Sequence, residues 1–332
     1  MSNMLKELLN VYWLRPETAL WRAIDIEIMK NFEVKGKSLD LGCGDGILSF
    51  IRAGGEFDVT FDDYQSIGKL DKYFENEDIH DMFIEGYSPP IKQKPNYIFS
   101  TALDHKKNLL LKSKELGFYN DFVQHDANKT LPFKENTFDS IFSNILYWLD
   151  DPQHSLMEVS RILKPGGRVA LMLPNTTMPE FSFYNQLHVK NKDKDYEFLK
   201  FLDRGRYSSN IKIAKSYGEW KSLISKSGLN IVEHKTHLSK TVMQIWDIGL
   251  RPLFPVLSKL VNAVDDKNKL LENLTIKELE VLELVSQGHN NAQIAKTLSL
   301  AEVTVKKHIS SLFKKLEQKD RLSLALFFKN HS

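Results

Sequence analysis

The tightest constraint in this sequence is the run Ser38-Leu39-Asp40-Leu41-Gly42-Cys43-Gly44-Asp45-Gly46. A short apolar strand ending at Leu41 feeds three glycines at every second position. Glycine tolerates φ > 0 and carries no Cβ, so such a loop turns sharply and lets a ligand approach the backbone. Residues Ile47 to Ala53 then read as a helix whose first amides face the same place. Strand, glycine turn and helix in this order predict an α/β fold that binds a ligand at the carboxyl end of the strand. By itself the Gly-x-Gly-x-Gly pattern fits a dinucleotide almost as well as another cofactor.

Further along come Asp126-Ala127, Leu131-Pro132-Phe133, Phe138-Asp139 and Leu163-Lys164-Pro165-Gly166-Gly167-Arg168. Together with the glycine loop, and in this order, they resemble the class I S-adenosylmethionine (SAM)-dependent methyltransferases of type 11, across most of residues 35–174. The resemblance implies a Rossmann-like doubly wound sheet with SAM as cofactor. It further implies that Asp40, Gly42, Cys43, Gly44 and Gly46 surround the cofactor, and that Asp126 accepts a hydrogen bond from the adenine amino group. The Ala127 amide would meet an adenine ring nitrogen, and Asn144 would face the methionine part. Tyr147 and Trp148 would wall the acceptor pocket, unless one of them packs under the next helix.

A second strand is expected to end in an acid, because one carboxylate can accept hydrogen bonds from both ribose hydroxyls. Asp62, after Phe57 to Phe61, stands at the spacing of roughly 20 residues found in dinucleotide folds. Asp104, after Tyr97 to Leu103, is favoured: Asn108 to Leu116 then forms the next helix, and the step to Asp126 has the family's length. The choice leaves an insertion at about 54–96, rich in Phe and Tyr and carrying Ser88-Pro89-Pro90. It reads either as a lid over the substrate or as an excursion without a catalytic part.

The rest of the α/β region follows from periodicity. Residues 15–31 read as a helix with Pro16 in its first turn and Leu20, Ile24 and Ile28 on one face. Phe122 to Gln124 and Phe138 to Ser143 read as strands, and Ser155 to Leu163 as an amphipathic helix. The Pro165-Gly166-Gly167 turn leads into a strand at Arg168 to Leu173. Trp220 to Gly228 is expected as a helix and Leu229 to Glu233 as a further strand. His125 reads as a rim residue, and His188, His234 and His237 lack metal-binding spacing, so no metal is expected.

Beyond residue 264 the pattern changes to pure helix. Asp265 to Leu271 opens with a polar run suited to a linker, placed at 265–272. Thr275 and Glu278 form a capping box for a helix carrying Val281, Leu282 and Val285, closed by Gly288. A short helix with Ile294, Ala295 and Leu298 follows. The third, Glu302 to Leu316, buries Val305, Ile309, Leu312 and Leu316 and leaves Thr304, Lys306, Lys307, Ser310, Ser311 and Lys314 for phosphates and base edges. Residues 267–332 hold 11 Lys plus Arg against 7 Asp plus Glu, or +4, which leaves −2 for the remainder of a chain whose net charge is +2. Leu274-Thr275, Glu278, Val281-Leu282, Gly288, Asn291, Ile294-Ala295, Leu298, Thr304-Val305-Lys306, His308, Lys315-Leu316 and Arg321 together resemble the LuxR-type helix-turn-helix across nearly all of 273–328. Lys277 and Ala301 depart from the pattern, where arginine and a capping serine are usual. The resemblance implies double-stranded DNA as partner and a homodimer contact through the last helix, Asp320 to Phe328.

At 332 residues, one large and one small domain are expected: a methyltransferase domain over 1–264 and an all-α helix-turn-helix domain over 273–332. A lone Cys43 suggests a reducing compartment. The most lipid-like piece, Ile245 to Leu257, is broken by Asp247, Arg251, Pro252 and Pro255, and Glu7 stands where a signal peptide would be apolar; a cytoplasmic protein is expected. Three functions fit. One is a methyltransferase for a small-molecule acceptor that also binds DNA and regulates transcription. The second is a regulator whose methyltransferase-like part only senses SAM or another metabolite. In the third, the helix-turn-helix is a protein-docking module on an ordinary enzyme.

Overall fold

The structure, a computed structural model, describes residues 2–61, 63, 82–190, 194–197, 199, 213–250, 253, 271 and 273–329. The chain divides into two compact units, Met1–Phe254 and Pro255–Ser332. The expected linker, apart from Leu271, lies outside the described residues.

The first unit opens with α1 (Ser2–Val11) and α2 (Pro16–Ile28), then β1 (Ser38–Leu41) and α3 (Ile47–Arg52). Next come β2 (Glu56–Phe57), β3 (Ile91–Gln93), β4 (Phe99–Asp104), α4 (Lys107–Glu115), β5 (Tyr119–Gln124) and β6 (Phe138–Ser143). It continues with α5 (Pro152–Ile162), β7 (Leu163–Leu171), α6 (Thr177–Phe181), α7 (Tyr217–Lys226) and α8 (Lys240–Ile248). Five strands form one parallel sheet in the order β5-β4-β1-β6-β7. Parallel sheets need both faces covered, and alternate side chains supply both. Leu39 and Leu41 join Val159 and Ile162 of α5 in one apolar layer. Ala102 and Phe142 join Ala23 and Ile26 of α2 and Phe50 of α3 in the other. The sheet grows outward from β1 in both directions, so the β1/β6 boundary is a switch point, where a crevice opens at the carboxyl ends.

Several expectations need correction. α1 was not foreseen; it is held by Leu8, Val11 and the following Tyr12, all buried. β5 begins at Tyr119 rather than Phe122. β7 begins at Leu163: the register passes from Phe138↔Leu163 to Ser140↔Arg168, so Lys164 to Gly167 bulge out and Lys164 Nζ reaches both Asp139 carboxylate oxygens, at 2.9 and 2.8 Å. Leu229 to Glu233 is irregular rather than a strand. Leu229 packs toward the α5 layer while Val232 is 80% exposed, so no ladder uses the alternation.

The ends of the 54–96 insertion pair as a small antiparallel β2/β3 ladder. Phe57 and Phe61 bury their rings in the core. α1 fastens this base: the Phe57 amide donates to Glu7 Oε1 at 2.7 Å, and Asn10 Nδ2 donates to the Phe61 carbonyl at 3.2 Å. Asp62, the alternative ribose acid, lies outside the described residues.

The second unit contains α9 (Ile276–Ser286), α10 (Asn291–Leu298), α11 (Glu302–Lys315) and α12 (Arg321–Lys329) around a core of Val281, Leu282, Val285, Ile294, Val305, Ile309, Leu312, Leu316, Leu324 and Phe327. Reciprocal capping boxes start α9 at Thr275/Glu278 and α10 at Asn290/Gln293. α11 starts at Ala301 with no side-chain cap. Replacing Ala301 by Ser is expected to raise the stability of this unit by about 1 kcal/mol, because a hydroxyl there can accept from an unpaired first-turn amide. Calorimetric melting of the full chain, comparing the transition of this unit, checks it. Among the described residues no helix is long and apolar enough to cross a membrane.

Candidate functional site

Register alone gathers the residues of the first site. Leu41 stands opposite Leu103 on β4 and Ser143 on β6, and Asp104 stands opposite Gln124 on β5. The ladders run one step past each strand: Gly42 N–H donates to the Leu103 carbonyl at 2.8 Å, and His125 N–H to the Asp104 carbonyl at 3.0 Å. Gly42, Asp104 and Asn144 therefore stand at one level of the carboxyl edge, and Asp126 follows two residues past Gln124 at the same edge.

The glycine loop is left-handed at all three glycines, with φ of +79° at Gly42, +58° at Gly44 and +81° at Gly46. The three serve different ends. A Cβ on Gly42 would sit 2.3 Å from Ile145 Cγ2, and one on Gly46 would sit 3.0 Å from both Leu116 and Tyr119. A Cβ on Gly44 would meet nothing within 4 Å. The outer glycines thus allow close packing against protein, while Gly44 borders open space. Asp104 closes the loop: its Oδ2 accepts from the Gly44 amide at 3.0 Å and its Oδ1 from the Lys106 amide at 2.9 Å. A carboxylate has about four acceptor positions, so capacity remains for hydroxyls beside these two bonds and the His105 ring nitrogen 3.5 Å from Oδ1. Asp104, the acid favoured in the sequence, thus bonds the loop directly.

Asp126 follows β5, and its Oδ1 accepts from the backbone and side-chain nitrogens of Asn128 at 3.0 and 3.1 Å. The Asn128 backbone bond holds its carboxyl below the usual range. Oδ2 makes no hydrogen bond among the described residues, nor does the Ala127 amide. Sequence reasoning missed what fixes this loop. Arg161 donates to the Leu131 and Phe133 carbonyls at 3.0 and 2.7 Å, while Glu158 Oε2 accepts from the Leu131 amide at 2.7 Å. One i,i+3 pair on α5 thus fastens both sides of Leu131-Pro132-Phe133; the helical spacing was readable, its target was not.

Other expected residues lie differently. Asp40 is only 1% exposed and sits under the loop, with the Tyr119 hydroxyl donating to its Oδ2 at 2.8 Å. It lies beneath the loop, on the side of Tyr119. Cys43 is half-buried, Sγ lies 3.4 Å from the Gly44 carbonyl, and burial pushes its thiol well up. Asn144 is half-buried and its amide makes no hydrogen bond among the described residues. Trp148 is 44% exposed, and the Tyr147 side chain lies outside the described residues. No group of three His, Cys, Asp or Glu is placed to hold a metal among the described residues.

In the second unit, α11 carries a trough lined by Val303, Lys306, Lys307, Ser310, Ser311 and Lys314. The ammonium groups of Lys306, Lys307 and Lys314 are exposed and make no ion pair among the described residues. Thr304 is half-buried beside the trough, and Ser310 Oγ donates back to the Lys306 carbonyl at 3.0 Å. Ser311 corrects the sequence reading: its Oγ donates to Glu278 Oε1 at 2.6 Å, so it is engaged inward, across to α9. Lys315 Nζ donates to Glu278 Oε2 at 2.7 Å, beside the Thr275 amide at 2.9 Å. Burial alone would raise this carboxyl, but Lys315, Ser311 and Thr275 together hold it down at about 2. Arg321 joins α12 to the start of α10, donating to Asn291 Oδ1 at 2.8 Å and to the His289 carbonyl.

Comparison with known proteins agrees with both units. Residues 90–171 match the family model described as methyltransferase domain, and residues 272–328 that described as bacterial regulatory proteins, luxR family. Over 77 residues the chain is 35% identical to the response regulator protein VraR of Staphylococcus saprophyticus, covering 23% of this chain and 37% of that protein. VraR of Staphylococcus aureus matches with the same identity and coverage. The chain thus spans 37% of the length of the curated relatives it matches. Among solved structures, a SAM-dependent methyltransferase from Thermotoga maritima is 15% identical, with a TM-score of 0.37 over 71% of this chain and 89% of that one. Another, from Aquifex aeolicus, is 17% identical, with a TM-score of 0.36 over 64% and 83%. The architecture rests on the strand order, not on these two likenesses. The chain joins a methyltransferase-type α/β unit to a C-terminal helix-turn-helix domain of the LuxR type.

Proposed function

We propose that the first unit binds S-adenosylmethionine at the carboxyl edge of its sheet and methylates a small-molecule acceptor, while the second binds duplex DNA as a homodimer and regulates transcription in the cytoplasm. The observation that carries the reading is the closure of Asp104 on the Gly44 amide, beside a glycine whose Cβ direction is open. This pairs a carboxylate for ribose hydroxyls with an unobstructed stretch of backbone, as a nucleoside sulfonium requires. Asp126 Oδ2 and the Ala127 amide offer the acceptor and donor that an adenine edge needs, and Asn144 offers an amide at the switch point.

The bound cofactor would supply an electrophilic methyl group, so the chain's own work is orientation and exclusion of water. Gly42, Gly44 and Asp104 hold the nucleoside end, and Arg161 with Glu158 keeps the adenine loop in register. Beyond β7 the chain leaves the carboxyl edge at Pro174 and comes back to it. Trp220 Nε1 donates to the Pro174 carbonyl at 2.8 Å and the Lys215 amide at 3.4 Å. Lys215 and Trp220 are thereby tied to Pro174, near the edge at which an acceptor would meet the methyl group.

Calorimetric titration of the full chain with SAM and its demethylated product, without and with DNA, tests the first half. Transfer of labelled methyl groups to small molecules in an extract tests turnover; binding without transfer would make the unit a sensor. For the second half, replacing Lys306, Lys307 or Lys314 singly by Ala is expected to weaken DNA binding evenly across sequences. Each change removes one phosphate contact per subunit and should lower the slope of log K against log salt by about 2 for the dimer. An unchanged slope in all three variants would point to protein docking instead.

A further inference from the structure

Tyr119 touches both ends of the glycine loop from beneath. Its hydroxyl donates to Asp40 Oδ2 at 2.8 Å, one residue before the loop's lead-in Leu41. Its Cε2 stands 3.0 Å from where a Cβ on Gly46 would be, at the loop's last glycine. The ring is fixed by Phe118 and Phe122, with centroids 4.8 and 5.9 Å away, and by Phe99 at 6.0 Å, and Tyr119 is 7% exposed. Ser49 in the first turn of α3 lies close enough to Asp40 to favour its ionised form, so the carboxylate is influenced from both the strand that enters the loop and the helix that leaves it. None of this is needed to hold β5 in the sheet, which the ladder with β4 does.

We propose that Tyr119 is a positioning residue for the cofactor loop, presetting Gly42 to Gly46 through Asp40 and Gly46 before any nucleoside arrives. This rests on the cofactor reading above. It also gives cofactor affinity a pH dependence. Burial pushes the Asp40 carboxyl up to about 6, against Ser49, the bond from Tyr119 and the nearby Arg52 guanidinium, with Asp104 adding to the rise. The Cys43 thiol and the Tyr97 hydroxyl are the other titratable groups facing it. Ionised, Asp40 accepts from the Tyr119 hydroxyl with Ser49 alongside. Protonated, one of its oxygens becomes a donor, and the carboxyl no longer offers both hydroxyls an acceptor. Affinity should therefore fall as pH drops through about 6.

The test uses the full chain with Tyr119→Phe, which keeps the ring and removes the hydroxyl. Titration with the demethylated cofactor is expected to show affinity weaker by roughly tenfold, the scale of one hydrogen bond to a buried charge. The pH midpoint of affinity should move upward, since the Tyr119 bond normally lowers the Asp40 pKa. Amides of residues 42–47 should exchange hydrogen faster in ligand-free protein, with the second unit unchanged. Wild-type affinity, midpoint and exchange in this variant overturn the proposal. If the wild type binds neither SAM nor its product, the cofactor reading falls, and the exchange rates alone decide on Tyr119: faster supports it, unchanged overturns it. Should Tyr119→Phe fail to fold, Asp40→Asn serves instead, since it removes the carboxylate through which Tyr119 acts. Faster amide exchange at residues 42–47 in that variant supports the proposal, and unchanged exchange overturns it.

Discussion

Replacing Gly42 by Ala is expected to abolish cofactor binding and to destabilise the first unit by about 3 kcal/mol. Two costs combine. An L-residue held at φ +79° sits in the left-handed region, a penalty of about 1–2 kcal/mol. The new methyl would also lie 2.3 Å from Ile145 Cγ2, 2.6 Å from Cγ1 and 2.7 Å from Cδ1, and overpacking of this kind costs about 1–3 kcal/mol. The loop has no easy way out, because the Gly42 and Cys43 amides are both bonded to the Leu103 carbonyl at 2.8 and 3.1 Å. Either the loop or Ile145 must move, and both border the switch-point crevice. Thermal melting and calorimetric titration of Gly42→Ala measure the two effects. Adding Ile145→Ala separates them in a double-mutant cycle: Gly42→Ala should cost less in the Ile145→Ala background than in wild type, and an equal cost in both would refute the clash. Gly44→Ala is the contrast. It keeps the backbone penalty and meets no atom within 4 Å, so its loss in stability should be the smaller.

The contrast also marks how far the sequence could be read. The glycine pattern put strand, loop and helix together, and Asp104 was favoured over Asp62 because a helix at Asn108 to Leu116 follows it and the step to Asp126 has the length usual in the family it resembles. Parallel register then does the rest, since strands that end at one level bring their following residues together wherever they stand in the chain. What spacing cannot reveal is which side of a loop a side chain takes. Asp40 looked like a ligand residue from its position in the motif, yet strand alternation turns it into the layer of α3, under the loop. Tyr119 carried no signal, since an aromatic at a strand start is ordinary core. Leu229 to Glu233 alternates like a strand but finds no ladder, and hydrogen bonding, not alternation, makes a strand. In the helical unit, periodicity found the core and the three lysines. Ser311 was misjudged because its partner, Glu278, lies on another helix, 33 residues away in sequence.

That partner carries the second large effect. Glu278→Gln is expected to cost the helix-turn-helix unit about 3 kcal/mol at pH 7 and almost nothing near pH 2. The carboxylate is 5% exposed and accepts from Lys315, Ser311 and Thr275, which draw its pKa from 4.5 to about 2 against the pull of burial. A depressed carboxyl pKa in the folded state means that the unfolded chain binds the proton more readily. Its stabilisation is therefore complete above pH 4.5 and is lost as pH falls from 4.5 to 2. At about 1.4 kcal/mol per pKa unit the shift amounts to the 3 kcal/mol above. Denaturant unfolding of wild type and variant across this range, read as the difference between them, isolates the term from other acids. A difference that stays constant with pH would show that packing, not charge, is what Glu278 supplies. The same substitution should weaken DNA binding, because Glu278 is both the capping acid of α9 and the anchor for Ser311 and Lys315 of α11. One carboxylate thus fixes the pose of the recognition helix: removing it frees Lys315 and Ser311 while leaving Lys306, Lys307 and Lys314 in place. Affinity should fall with the salt slope nearly unchanged, the opposite of what the lysine variants do.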